Sequence, residues 1–231
     1  MLNQFESAAY PADAWALLGP QISPQRRARM ERVASLRTDY VRLALQDVHD
    51  PHNIGACLRS AEAFGIQNVD MINVYQKFAK ASSVGRGAKY WLDIHKFTSI
   101  DLYCHELKKR GYRLAAAYPG DGQIPLHKLP SDQPLALVFG NEHAGLDGGW
   151  LPHIDYRFSI PMFGMVESFN ISVSVALSLF DLQQRCRAEV PAERFLLPPS
   201  AQQKLLNHWA CQQSHDATRE LARLRDARPK T

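Results

Sequence analysis

The sequence predicts an α/β fold, a parallel sheet with helices on both faces. Two observations carry that expectation. A strand candidate, VRLALQDV at 41–48, is followed by a turn, the helical pattern IGACLRSAEAFG and a second strand, VDMINVY at 69–75. Strand, helix and strand within roughly 35 residues make a βαβ unit, which requires parallel pairing and a right-handed crossover. Further along, LALVFG at 135–140 is a short unbroken apolar run, the pattern of an interior strand covered on both sides.

Residues 1–22 place Pro11 and Pro20 around AWALLG and specify no element. Ser23-Pro24 opens a basic helix, QRRARMERVASLR, with Ser23 as N-cap and Pro24 at the first helical position. In IGACLRSAEAFG, Ile54, Cys57, Leu58 and Ala61 form one apolar stripe and Gly65 is the stop. The polar, basic segment QKFAKASSVGRGAKYW reads as a loop or a broken helix. Ser99 caps IDLYCHELKKR, with Ile100, Tyr103, Cys104 and Leu107 on one side and Gly111 at its end. YRLAAAY is a strand, PGDG a turn, and YRFSIPM the last strand.

Between 159 and 182, SIPMFGMVESFNISVSVALSLFDL breaks at Pro161 and Gly164 and resumes as an apolar run behind Ser168 and Asn170. Ile171, Val175, Leu179 and Leu182 follow helical spacing, and Val173, Leu177 and Phe180 fill much of the other side. Such a helix must be buried, in a core or against another subunit. Ile171, Val173 and Val175 also alternate, so a strand fits the first part; length and the continuation into DLQQR favour a helix. LPPS at 197–200 starts a further helix, with Ser200 as N-cap. The expected organisation is an N-terminal extension and basic helix (1–40), a central domain (41–190) and a C-terminal helical, basic extension (191–231).

A chain of 231 residues can bury a full core. Its net charge of +4 is mild, but the arginines are unevenly placed. Arg26, Arg27, Arg29, Arg32, Arg37 and Arg42 share a span with only Glu31 and Asp39, and Arg219, Arg223, Arg225, Arg228 and Lys230 crowd the tail. Phosphate contact and solvated helix faces both account for this. Cys57, Cys104, Cys186 and Cys211 are scattered without a CxxC pair, as free thiols of a reducing compartment are. The N-terminus has no signal pattern and no window spans a membrane, so the expected location is the cytoplasm. Asp47, His49, Asp50 and His52 share one turn, which reads as a turn and not a metal site; no metal is expected.

Ligands of open parallel sheets sit beyond the carboxyl ends of strands. Three such loops are rich in Gly, Asn, Glu or Ser: HDPHN–IGACLR, FGNEHAGL and IPMFGMVESFN. Asn53 at an N-cap leaves backbone N–H groups and the helix dipole for an anion. Arg59, about 9 Å along that helix, leans back toward the same end; a capping Asn and a surface Arg fit equally. FGNEHAGL lacks the GK[ST] ending and no GxGxxG follows a strand, which argues against a nucleotide hydrolase and a dinucleotide dehydrogenase. Gly140 suits close backbone approach to a ligand. Glu142 suits a hydroxyl donor or a cation such as Arg59. Ser168 has no GxSxG elbow.

Together, NIGACLRSAEAFG, LVFGNEHAGL and IPMFGMVESFNISVSVAL resemble, in order, the three motifs of the SPOUT superfamily of RNA methyltransferases, of the TrmH type. The resemblance extends over the arginine-rich helix and LPPSAQQKLLNHW, from Pro24 to Trp209. It implies methylation of a ribose 2′-hydroxyl in tRNA, at the D-loop guanosine at position 18, with S-adenosylmethionine as donor. The alternatives are another RNA or another tRNA position, or an RNA-binding module without catalysis. It also implies a homodimer and a C-terminal deep trefoil knot, which general rules would exclude. Cofactor contacts, largely through backbone groups, match Gly140, Ile160, Met162, Phe169 and Ala117. The family's catalytic Arg matches Arg59, and Asn53, Glu142, Ser168 and Asn170 match the polar set around it. RNA contacts fall on Arg26, Arg27, Arg29, His52, Arg86 and Lys89. Phe169 stands where many relatives have Leu, Asn141 and His143 occupy variable places, and residues 1–22 have no counterpart. Because Arg stays protonated, its role fits gripping phosphate and stabilising a developing alkoxide better than acting as a base.

Overall fold

The chain, in a computed structural model, is described for residues 10–75, 87–120, 122–142 and 144–227. Arg86, His143, Arg228 and Lys230, named above, lie outside these residues, as does the start of the N-terminal extension. Two compact units form. One contains residues 38–195; the other joins 10–37 to 196–227.

The larger unit is built on seven strands: β1 Val41–Gln46, β2 Asn68–Ile72, β3 Asp93–Phe97, β4 Arg113–Ala117, β5 Ile124–Pro125, β6 Leu135–Phe139 and β7 Tyr156–Ser159. They lie in the order β3-β2-β1-β6-β4-β7-β5, and every pairing is parallel. β1, β2 and β6 are buried along their whole length, β6 as an unbroken apolar run and β1 and β2 with Arg42, Gln46, Asn68 and Asp70 buried among their apolar residues. Strand β3 was not legible as one. Its sequence, DIHKF, carries three polar residues in five and occupies the sheet edge, where only one side needs to be apolar. The two-residue β5 lay equally hidden behind the PGDG turn.

Helices α3 Pro51–Ala63, α4 Ile100–Lys109, α5 Ile171–Glu189 and α6 Ala192–Phe195 complete this unit. Both expected glycine stops hold. Gly65 has φ +78 and Gly111 φ +84, and the paired bonds Ile66 N–H to Ala61 O and Gly65 N–H to Glu62 O close α3 in a Schellman turn. Ser99 caps α4 by accepting from Leu102 N–H at 3.3 Å. Residues after Asn170 are helical throughout, which removes the strand alternative. Burial of α5 is one-sided, however. Ile171, Val175, Leu179 and Leu182 are buried, whereas Val173, Leu177 and Phe180 are 43, 38 and 53% exposed.

In the smaller unit, α1 Ala14–Leu18 and α2 Pro24–Ser35 pack with α7 Pro199–Gln213 and α8 Ala217–Asp226. Trp15 N–H donates to Asn207 Oδ1 at 2.9 Å, and Arg225 is paired with Asp13 at 2.6 Å. Ser23 stands at the N-cap of α2, but its side chain makes no capping bond. Pro198, not Ser200, is the N-cap of α7, because Pro199 already supplies the first helical residue and Ser200 falls inside the first turn.

Two of the six clustered arginines are not surface groups at all. Arg37 is fully buried with its guanidinium over the Trp209 ring. Arg42, on β1, is 1% exposed and forks onto Asp70 of β2 with bonds of 3.0 and 2.8 Å, while a third bond of 2.8 Å reaches Asp39. Asp70 also accepts from Tyr103 Oη at 3.0 Å. The carboxylate of Asp70 holds the Arg42 charge in place against desolvation, raising its pKa; burial first, then Asp70, pushes the Tyr103 phenol up. Removing one member strands the other's charge. Asp70→Ala is expected to cost about 3–5 kcal/mol, read as a fall in the urea unfolding midpoint. Replacing the pair together with Met and Leu should cost less than Asp70→Ala alone.

Candidate functional site

The carboxyl ends of β4, β6 and β7 open into one cleft of about 640 Å³. Its apolar walls come from Phe139, Leu146, Phe158, Ile160 and Phe169, and its polar groups from Asn141, Glu142, Glu167, Ser168, Asn170 and Ser174. All five residues matched to cofactor contact, Ala117, Gly140, Ile160, Met162 and Phe169, line it. So do Tyr118 and Pro119, which the sequence offered only as the end of a strand and the start of a turn.

The polar set is held by hydrogen bonds across three loops. Asn170 Nδ2 donates to Asn53 Oδ1 at 3.1 Å, and Asn53 Nδ2 donates to Glu142 Oε1 at 2.9 Å. Asn170 is meanwhile fixed as the N-cap of α5, its Oδ1 accepting from Ser172 N–H at 2.8 Å. Residues 89 and 117 positions apart in the chain thus form one relay of amides ending on a carboxylate. Ser168 lines the cleft next to them.

Two expectations need correction. Asn53 is not the N-cap of α3. Asp50 takes that place, accepting from His52 N–H at 2.8 Å, and Pro51 is the first helical residue. The helix begins earlier because Asp-Pro is a stronger start signal than Asn, and this frees the Asn53 amide for Glu142. Glu142 accordingly does not pair with Arg59. Arg59 is exposed on α3 and makes no hydrogen bond or ion pair among the described residues. At 3.6 residues per turn it lies about 120° round the helix from Asn53 and within about 20° of His52, which is also exposed. The monomer assembles Asn53, Glu142 and Asn170 and leaves Arg59 on another face.

The loop after β6 closes on itself. Asn141 and Gly145 exchange N–H to O bonds of 2.9 and 3.0 Å, Ala144 N–H bonds Asn141 Oδ1, and Gly145 has φ +69. A Cβ on Gly140 would stand 2.3 Å from the Gly145 carbonyl carbon. The close approach that requires glycine here is to the loop's own backbone. Asn141 Nδ2 also donates to the Asp47 carbonyl at 2.8 Å, tying this loop to the end of β1. Asp47 itself has φ +46, a conformation that Asp tolerates better than most side chains. The sequence named both residues but not this link between them, since a polar residue after a strand carries no mark of such a bond.

Cys57, beneath this set, is no nucleophile. Burial, aided by the Glu142 carboxylate, pushes its thiol up to about 12. Cys104, Cys186 and Cys211 are also free thiols. Of the residues matched to RNA contact, Arg26 and Arg29 are exposed. Arg27 is drawn to Glu31 at 3.3 Å and lies over the Trp15 ring, and Lys89 lies over the Tyr90 ring.

Residues 40–180 match the SpoU rRNA Methylase family. The chain belongs to this family. It is similar to a tRNA (guanosine(18)-2′-O)-methyltransferase of Borreliella burgdorferi, 32% identical over 171 residues, which cover 74% of this chain and 78% of that protein. A protein of the same name from Thermus thermophilus is 31% identical over 185 residues, covering 80% of this chain and 95% of the relative. The solved A. aeolicus TrmH/SpoU tRNA modifying enzyme aligns with a TM-score of 0.74 and 26% identity, over 82% of this chain and 96% of that one. The family match spans β1 to the middle of α5, and so takes in the cleft and the relay of amides.

The steric limit at Gly140 has a direct test. Gly140→Ala is expected to open the Asn141–Gly145 pairing, so that amide exchange at these two residues accelerates at least tenfold while β1 and β2 stay protected. Unchanged exchange at both would show that the loop accommodates a side chain.

Proposed function

We propose that this protein transfers a methyl group from S-adenosylmethionine to the ribose 2′-hydroxyl of the guanosine at position 18 of tRNA. The observation that carries this reading is the Asn170–Asn53–Glu142 relay at the rim of the carboxyl-end cleft. The names of the relatives supply the substrate.

The cleft fits the donor. Its volume of about 640 Å³ lies within the range of sites that enclose small-molecule cofactors. Apolar walls at Phe139, Leu146, Ile160 and Phe169 suit a purine, and the backbones of Gly140, Gly145, Ser159 and Ile160 offer polar groups to a charged tail. S-adenosylmethionine supplies a methyl group activated on a positively charged sulfur. Ala117, Gly140, Ile160, Met162 and Phe169 hold it.

Ser168, Asn170, Asn53 and Glu142 orient the ribose. An ordered amide–amide–carboxylate chain keeps its donors and acceptors fixed before substrate arrives, so little reorganisation is left for the reaction. Glu142, as the terminal acceptor, receives the hydroxyl hydrogen bond. Arg59 grips the nucleotide phosphate through its guanidinium fork, with the neighbouring His52 on the same face of α3. Arg26, Arg27, Arg29, Arg86 and Lys89 add phosphate contacts that position the RNA without reading its sequence.

The assembly in this reading is a homodimer. Val173, Leu177 and Phe180 recur at helical spacing and form an exposed apolar stripe on α5, which Phe64, the C-cap of α3, extends through a ring contact of 6.1 Å with Phe180. A trefoil knot at the C-terminal end belongs to this reading through the family resemblance, and a strand order with β7 between β4 and β5 is compatible with it. A trace whose ends pull out straight would refute the knot. The protein works in the cytoplasm, in keeping with its free thiols.

Purified protein incubated with labelled donor and unmodified tRNA should methylate the ribose of guanosine 18. Label on a base, on another nucleotide or nowhere would overturn the reading. Arg59→Ala should lower the rate by about 10²–10³-fold and leave the affinity for S-adenosylmethionine unchanged. Leu177→Asp combined with Phe180→Asp should halve the mass seen by light scattering; a monomeric wild-type protein would dispose of the dimer.

A further inference from the structure

The loop leaving β2 brings Tyr75 to the carboxyl edge of the sheet, where 71% of its surface is exposed. An exposed tyrosine is ordinary. The manner in which this one is held is not. A tyrosine at a surface usually buries its ring and leaves its hydroxyl to water. At Tyr75 the polar groups are taken up by the protein and the ring is left outside. Its hydroxyl donates to Asp147 Oδ2 at 2.6 Å, and its backbone N–H donates to Asp47 Oδ1 at 3.4 Å, beside Val74 N–H at 3.1 Å on the same oxygen.

Both carboxylates are themselves anchored. Asp147 N–H donates to Gln46 Oε1 at 2.9 Å, and Asp147 Oδ1 accepts from Gly149 N–H at 2.7 Å. Gln46 Nε2 donates to Asp47 Oδ2 at 3.0 Å, and the same Gln46 Oε1 receives Trp150 Nε1 at 3.0 Å. Asp47 is held in the left-handed region, at φ +46, by bonds to three segments: its N–H to Ile72, its carbonyl from Asn141, its carboxylate to the Tyr75 loop. Asn141 adjoins Glu142, the end of the amide relay. Tyr75 is therefore fixed, through Asp47 and Asp147, to the frame that positions the candidate site.

We propose that Tyr75 is a stacking platform for a base of the RNA adjoining the methylated nucleotide. This rests on the RNA methyltransferase reading above. Single-stranded loops are recognised by splaying bases onto aromatic faces, and every base offers such a face. A ring held at its hydroxyl and its backbone loses little freedom when a base settles on it. Asp147 and Asp47 are positioning residues here; the contact is made by the ring.

The test compares wild-type protein with Tyr75→Phe and Tyr75→Leu, reading the KM and direct binding of unmodified tRNA, kcat, S-adenosylmethionine affinity and melting temperature. Tyr75→Leu should raise the KM and the Kd for tRNA about tenfold, within the range measured for loss of one stacked base, with donor affinity unchanged. Tyr75→Phe keeps the ring and should stay within about threefold of wild type. Equal tRNA binding by Tyr75→Leu and wild type would overturn the proposal, as would equal losses in both variants or a parallel loss of donor affinity, which would mark a structural role. A wild-type protein that methylates no RNA overturns the functional reading instead, and the direct binding measurement then still decides the platform.

Discussion

Parallel pairing is the constraint on which the rest of this molecule depends. Because every strand of the larger unit runs the same way, each delivers its carboxyl end to a single edge. Loops from β1, β4, β6 and β7 must then meet there, whatever their separation in sequence. The backbone has to return after each strand, so those loops are anchored at both ends by helices and strands. A cleft and a relay of amides assembled from three loops follow from that geometry.

Polar groups hold this frame at two levels. Inside the sheet, Arg42 and Asp70 link β1 to β2 where neither charge has access to water, and Tyr103 ties α4 to the same carboxylate. At the edge, Gln46, Asp47, Asn141 and Asp147 link the ends of β1, β2 and β6. The backbone ladders fix the strand register, and apolar packing, being non-directional, would not orient the polar side chains beyond it. Hydrogen-bonded side chains fix angles as well as distances, which a site that must orient a ribose requires.

Much of this was legible residue by residue. The continuous apolar run at β6, the glycine stops of α3 and α4, the Ser99 cap and the helical spacing of α5 are local signals, and local physics decides them. The same holds for the three motif loops, which do follow the carboxyl ends of β1, β6 and β7. What was not legible was partner choice. Asn53 looked like a cap and is instead an amide held between Glu142 and Asn170, because Asp50-Pro51 had started the helix earlier. Arg37 and Arg42 looked like part of a basic surface and are buried, one against Trp209 and one against Asp70. β3 escaped notice because an edge strand needs no unbroken apolar run.

By itself, then, the sequence determined that the chain is α/β, where most strands and helices lie, which loops leave the carboxyl ends of strands and which family the motifs resemble. These depend on periodicity, caps and turns, all within a few residues of one another. The tertiary structure decided which polar side chains meet, which arginines remain available, that one side of α5 is left exposed, and that Tyr75 presents its ring with its hydroxyl already bonded. Those outcomes depend on contacts between residues dozens of positions apart, and such contacts exist only once parallel pairing has brought the strand ends to one edge.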